Sequence, residues 1–242
     1  MVLALALLAP LAGPWVAAAQ QTGDRLTRLQ GSAFLGRRSG LVGAAVLVRE
    51  ESEPGMVFVT STDEKGQFRV DGLRDGSYRV WVKRDGYRTV LKQQIEVRFP
   101  FRPVVEVRME PSDVVVETAA FPAETTAGDG VLSIEGTVVE RDGEPIGDVR
   151  LRLVHPGGKK DPYLLRSAPD GTFRLSGLPA GLWRLEASGV GFLPLRIRIG
   201  LENDTRFNFS LVRQPASYKP LPLELMPAEQ PIAPEGFDLN DE

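Results

Sequence analysis

Almost everywhere between residues 28 and 110 apolar and polar side chains alternate with a period of two, the spacing of strands that bury one face. In SYRVWVK, residues 77–83, Tyr78, Val80 and Val82 point one way while Ser77, Arg79, Trp81 and Lys83 point the other. No window of about a dozen residues carries a 3.6-residue period, so no substantial helix is expected in the mature chain. Turn signals at Gly40, Pro54-Gly55, Lys65-Gly66, Asp71-Gly72, Asp75-Gly76 and Asp85-Gly86 divide the chain into short segments. Short strands separated in this way predict an antiparallel sandwich or barrel.

The pattern occurs twice. Gly66, Phe68, Arg69, Gly72, Leu73, Gly76, Arg79 and Gly86 recur without a gap, 105 positions later, as Gly171, Phe173, Arg174, Gly177, Leu178, Gly181, Arg184 and Gly191. The match extends upstream: Gly31 answers to Gly136, and Ala44, Val46 and Val48 to Val149, Leu151 and Leu153. Gly66 and Gly171 stand where a tight hairpin needs a positive φ, which a Cβ resists. Phe68 and Phe173 re-enter the core two residues later. Gly72-Leu73 and Gly177-Leu178 read as a bend over an apolar plug. Gly76 and Gly181 open strands whose first inward residues are Tyr78 and Trp183. These roles in turns and core account for the repeated residues without a ligand.

A repeat of this length divides the chain into two domains, expected at 25–111 and 131–214 with a linker at 112–130. Residues 1–19, MVLALALLAPLAGPWVAAA, lack charged or polar side chains and end in Ala17, Ala18 and Ala19 before Gln20. This is the pattern of a signal peptide with an A-x-A cleavage site. Pro10, Gly13 and Pro14 interrupt the run, short of the about 20 apolar residues a span needs, so no stable span is expected in the mature chain. The expected destination is secreted, periplasmic or cell-surface. The tail, 215–242, contains six prolines (Pro215, Pro220, Pro222, Pro227, Pro231, Pro234) and is acidic, the composition of a disordered segment. Phe237 is its candidate docking anchor.

The net charge of −3 is unevenly placed. The two repeats are close to neutral, at +4 for 24–110 and +2 for 131–213, whereas the linker and tail are acidic. Basic residues alternate with apolar ones instead of forming a stripe, which argues against a nucleic-acid surface.

The frame resembles the carboxypeptidase regulatory-like domain, a transthyretin-like (prealbumin-like) fold. The likeness rests on D-x-x-G-x-F at Asp63–Phe68 and on G-L-x-x-G-x-Y/W at Gly72–Tyr78 and Gly177–Trp183. Repeat two departs from it at Ala168, where repeat one has Asp63. The resemblance implies two tandem seven-stranded antiparallel Greek-key β-sandwiches of all-β class. Domains of the family occur as accessory modules, and related sandwiches bind carbohydrate; neither fact assigns an activity.

Candidate chemistry is sparse. There is no cysteine, and His155 is the only histidine, so a Cys/His zinc site or a metallocarboxypeptidase centre has no ligand set. His155 lies in VHPGGKKDP and reads as a solvated loop residue. The carboxylates Asp63, Asp71, Asp75, Asp85 and Asp170 fall in turns, where they satisfy backbone donors. No catalytic residue, metal or cofactor is expected. One binding surface stands out: Trp81 on the outward set between Arg79 and Lys83, whereas its counterpart in repeat two is Glu186. An exposed Trp beside cations would suit sugar stacking or a protein contact; alternatively the linker or the other domain covers it. The expectation is a non-catalytic adaptor meeting an envelope protein, with a carbohydrate-binding protein that recognises polysaccharide through Trp81 as the alternative.

Overall fold

The computed structural model describes residues 25–36, 39–53, 55–112, 131–155, 161–216 and 218. The leader, the linker from 113 to 130, Phe237 and most of the tail lie outside the described residues. Within them every regular element is a strand. The first repeat supplies β1 (Thr27–Leu35), β2 (Ser39–Gly40), β3 (Ala45–Glu50), β4 (Met56–Ser61), β5 (Gln67–Leu73), β6 (Gly76–Lys83), β7 (Val90–Val97) and β8 (Val104–Met109). The second supplies β9 (Val131–Glu140), β10 (Arg150–Val154), β11 (Tyr163–Arg166), β12 (Thr172–Pro179), β13 (Gly181–Ser188), β14 (Leu195–Leu201) and β15 (Thr205–Leu211).

Each repeat is a sandwich of a three-stranded and a four-stranded layer. In the first, β5, β1 and β8 (with the short β2 beside β1) face β4-β3-β6-β7. In the second, β12-β9-β15 face β11-β10-β13-β14. The alternation read from the sequence sorts the side chains. Val46, Val48, Phe68, Tyr78, Val80 and Val82 form the first core, and Leu151, Leu153, Phe173, Trp183, Leu185 and Phe209 belong to the second.

Local chemistry explains the frame. Gly66 and Gly171 hold φ of 74° and 77° in their hairpins, and a Cβ on either would run into a backbone carbonyl, Ala33 or Val138. Gly72 and Gly177 are the unpaired residues of matching bulges, where the register slips beside β1 and within β12. Leu73 and Leu178 beneath them are fully buried. Two further repeated devices involve hydroxyls and ring donors. Thr62 and Ser167 are buried, and each accepts from a backbone N–H, Ala44 at 2.8 Å and Val149 at 3.0 Å, while donating to Leu41 O and Ile146 O. Tyr78 Oη and Trp183 Nε1 each donate at 3.1 Å to the carbonyl four residues earlier, Arg74 and Pro179. An aromatic with a polar tip thereby fills the core without stranding a donor.

The two sandwiches are not merely strung together. β15, the edge of a three-stranded layer, pairs in parallel with β4, the edge of a four-stranded layer, from Arg206↔Met56 to Ser210↔Thr60. The result is one seven-stranded sheet, β12-β9-β15-β4-β3-β6-β7, shared by both domains. The join covers two edges that would otherwise present open backbone groups.

This join corrects the environment expected for Trp81. The ring is on the face opposite Tyr78 and Val80, as the alternation requires, but it is 3% exposed. Ala45, Leu47, Val57, Val59 and Trp81 belong to the second domain's core, together with Ile197, Ile199 and Phe207. The covering body is therefore the second domain. His155 is also corrected: it is half-buried, and its ring meets Trp183 edge-on with centroids 5.2 Å apart.

Candidate binding surface

The expected surface around Trp81 is built by β6, which places Arg79 and Lys83 on the same face, both half-buried. Arg79 is engaged with Glu51, at 3.0 Å from Nε to Oε1. The Arg49 guanidinium lies 5.9 Å from the Trp81 ring centroid, and burial, then the Arg79 charge, lowers its pKa from the usual arginine range. The indole has no free face for a sugar ring. The other expected residues, Gly66 to Tyr78 and Gly171 to Trp183, sit in hairpins, bulges and core as described above.

A cleft of about 260 Å³ opens where the domains meet, lined by Arg28, Arg69, Asp71, Glu140, Arg141 and Asn208 among others. The charges of the five named ionic residues are already paired. Asp71 bridges Arg28 at 2.5 Å and Arg69 at 2.6 Å. Arg69 also donates to the Arg141 carbonyl across the seam. Arg141 in turn holds Asp63 at 2.6 Å. A broader hollow of about 420 Å³ adjoins it, sharing Glu140 and Arg141, and Arg213 clamps Glu140 there through two bonds of 2.5 and 2.7 Å. The Asp63 carboxylate is fully used: Oδ1 accepts from the Lys65 and Gln67 N–H groups and Oδ2 accepts from Arg141. This turn aspartate, besides serving its own hairpin, is the partner of an arginine from the other domain.

The shifted groups are structural. Tyr78 is pushed up to about 12, by burial first and then by the Glu50 charge. Glu135 is held below the usual carboxylate range by hydrogen bonding and charge from Arg206. Backbone and side-chain bonds from Thr172 lower Asp170, and bonds from Ser133 lower Asp204. None of these stands opposite a second titratable group in an enclosed pocket, the arrangement acid–base chemistry uses. Among the described residues no group of three or more His, Cys, Asp or Glu is placed to hold a metal ion.

One end of the first sandwich is open to a ligand, a feature that no sequence motif marked. The loop between β7 and β8, RFPFRP, exposes Phe99 (48%) and Phe101 (73%), with Leu26 and Val104 beside them. The Arg25 guanidinium sits 5.7 Å from the Phe99 ring centroid, and Arg98 and Arg102 flank the two phenylalanines. Thr27 Oγ1 donates to Phe101 O at 3.0 Å, and the Phe99 N–H donates to Asp75 Oδ1 at 2.7 Å, so the loop is tied to its neighbours. The available signal was a pair of aromatics between prolines and arginines, outside any alternating run.

Comparison with solved structures finds partial likenesses. A Bacillus anthracis TIE protein is 18% identical over 78% of this chain and 34% of that one, with a TM-score of 0.32. A streptococcal ancillary pilin is 15% identical over 80% and 64%, with a TM-score of 0.29. BcpA, the major pilin subunit of Bacillus cereus, is 10% identical over 78% and 100%, with a TM-score of 0.30. This chain thus spans about a third of the first of these proteins and about two thirds of the second. No curated protein matches the sequence. The family model of the carboxypeptidase regulatory-like domain matches residues 30–110 and again 133–212, and the chain belongs to that family, with two tandem copies.

Proposed function

We propose that this protein is a secreted or periplasmic, non-catalytic adaptor of the bacterial cell envelope, which holds another envelope protein against the open end of its first sandwich. The observation that carries the reading is the exposed Phe99–Phe101 loop with Arg25, Arg98 and Arg102 around it. Aromatic and arginine side chains are the residue types that dominate protein contacts. The paired arginines and carboxylates of the seam serve to fix two domains as one body. The uncharged leader supports export. The carbohydrate alternative loses its main support with the burial of Trp81, since stacking on a sugar needs an open ring face.

The test is a photo-crosslinking residue at position 101 in producing cells, beside polysaccharide binding by the purified protein. A discrete adduct with one envelope protein, reduced by Phe99→Ala and by Arg102→Glu, is the expected result. Binding to polysaccharide with no protein adduct would replace this reading with the carbohydrate one.

A further inference from the structure

The molecule contains its own precedent for strand docking. β8 and β15 are equivalent strands, each paired in parallel with the first strand of its repeat. Gln30 and Glu135 are equivalent by the repeat offset, and they stand opposite Val104 and Arg206. Val104, Glu106 and Arg108 on β8 therefore correspond to Arg206, Asn208 and Ser210 on β15. On β15 these are the residues that meet β4, beginning with the Arg206 N–H donating to Gly55 O at 2.7 Å.

On β8 the Gln30 N–H donates to Pro103 O at 3.0 Å. In a parallel ladder that phase turns the backbone groups of Val104, Glu106 and Arg108 away from β1. Among the described residues, β1 is the only strand that pairs with β8. Its outer edge thus has the geometry of the edge that β4 fills on β15, with exposed Val104 (67%) and Phe101 at its start.

We propose that the outer edge of β8 docks an extended strand of a partner protein, parallel to β8 and in the register β4 uses on β15. This rests on the adaptor reading and names the partner's form. The incoming strand carries an apolar residue at its N-terminal end, against Val104 and Phe101. Its inner side chains beyond that are polar. Where β14 supplies Leu195, Ile197 and Ile199 to the core shared with β4, the equivalent positions of β7 are Val90, half-buried against the first core, and the exposed Lys92 and Gln94. A second copy of this chain does not fit. Its β11 is the counterpart of β4, but the neighbouring positions that are Ala45, Leu47 and Trp81 in repeat one are Arg150, Arg152 and Glu186 in repeat two. Docking in the same geometry would bury the Arg152–Glu186 pair together with the charge of Arg150.

The experiment uses the full chain and a synthetic peptide of the segment 55–62 carrying Val57→Thr and Val59→Thr, which keeps Met56 for Val104. Amide exchange is followed by NMR as peptide is added to about 1 mM. The amides of Val104, Glu106 and Arg108 are expected to slow by about tenfold or more, while those of Val105 and Val107 stay unchanged. Glu106→Pro removes one outward N–H and leaves the β1 ladder intact, so it should abolish the effect; Glu106→Ala should retain it. Val104→Lys, a change at an exposed side chain, should weaken it if the proline variant fails to fold. No slowing, or equal slowing in Glu106→Pro, overturns the proposal. So does finding the three amides already as slow as Val105 and Val107 in the free protein, with sedimentation then separating a second copy from a segment of the same chain. A crosslink at position 101 that survives such a result leaves the adaptor reading standing and removes only the strand.

Discussion

The Arg141 guanidinium of the second sandwich reaches the Asp63 carboxylate in a hairpin of the first, at 2.6 Å. Repeat two has Ala168 in the place of Asp63, and no arginine is needed there. The contact belongs to the seam between the repeats and not to the repeat itself. Asp63→Asn keeps the acceptor for Lys65 and Gln67 and loses the charge, so it isolates the ion pair. A double-mutant cycle with Arg141→Ala, read by urea unfolding, is expected to give a coupling of about 0.5–1 kcal/mol, as befits a pair that is partly exposed.

Trp81 gives a larger effect. Trp81→Ala should cost about 3–5 kcal/mol, the range for a buried tryptophan. Trp81→Glu installs the residue found at the equivalent position in repeat two and places a carboxylate against the apolar second core. Calorimetry of the parent should show one cooperative transition, and of Trp81→Glu two, as the domains come apart. A single transition in both would mean that the shared sheet, and not this packing, holds them together.

Gly31 and Gly136 recur because a neighbouring strand and a ring lie too close for a side chain. A Cβ at Gly136 would stand 2.8 Å from the Phe207 carbonyl carbon and 3.0 Å from the Phe173 ring. At Gly31 it would meet Phe68 and the Val105 carbonyl. Gly136→Ala is expected to destabilise by about 1–3 kcal/mol, the cost of overpacking, as judged from chemical denaturation. Gly143→Ala, where no atom lies within 4 Å but φ is 98°, should owe its smaller penalty to backbone strain alone.

Acid should loosen the second sandwich. Asp170 and Asp204 have pKa values below the usual carboxylate range because they accept N–H bonds from Thr172 and Ser133 in the fold. A carboxyl whose folded pKa is depressed contributes stability above its unfolded value, and that contribution is lost as pH falls through the folded value. The melting temperature should therefore decline from about pH 5 downwards. Asp204→Asn and Asp170→Asn should each flatten the decline; an unchanged slope in both would place the acid sensitivity elsewhere.

Much of the architecture is written locally. Period-two alternation assigns Tyr78, Val80 and Val82 to one face of a strand and Trp81 to the other, because successive side chains must alternate. Gly66 and Gly171 mark hairpins because their positive φ values are ones that a Cβ resists, a preference each residue carries alone. The candidate site was less legible. Phe99 and Phe101 lie in a loop, where no period separates an exposed ring from a buried one.

The sequence by itself determined that the chain is two copies of one all-β frame, since alternation and turn geometry are properties of neighbouring residues. The tertiary structure alone decided that the copies share a sheet through β15 and β4. Backbone edges pair through groups that every residue has, so no side chain announces which two edges will meet. The one trace is a difference between the repeats: Ala45, Leu47 and Trp81 where the other copy has Arg150, Arg152 and Glu186. That difference marks a face as covered, and only the assembled fold shows that the second domain covers it.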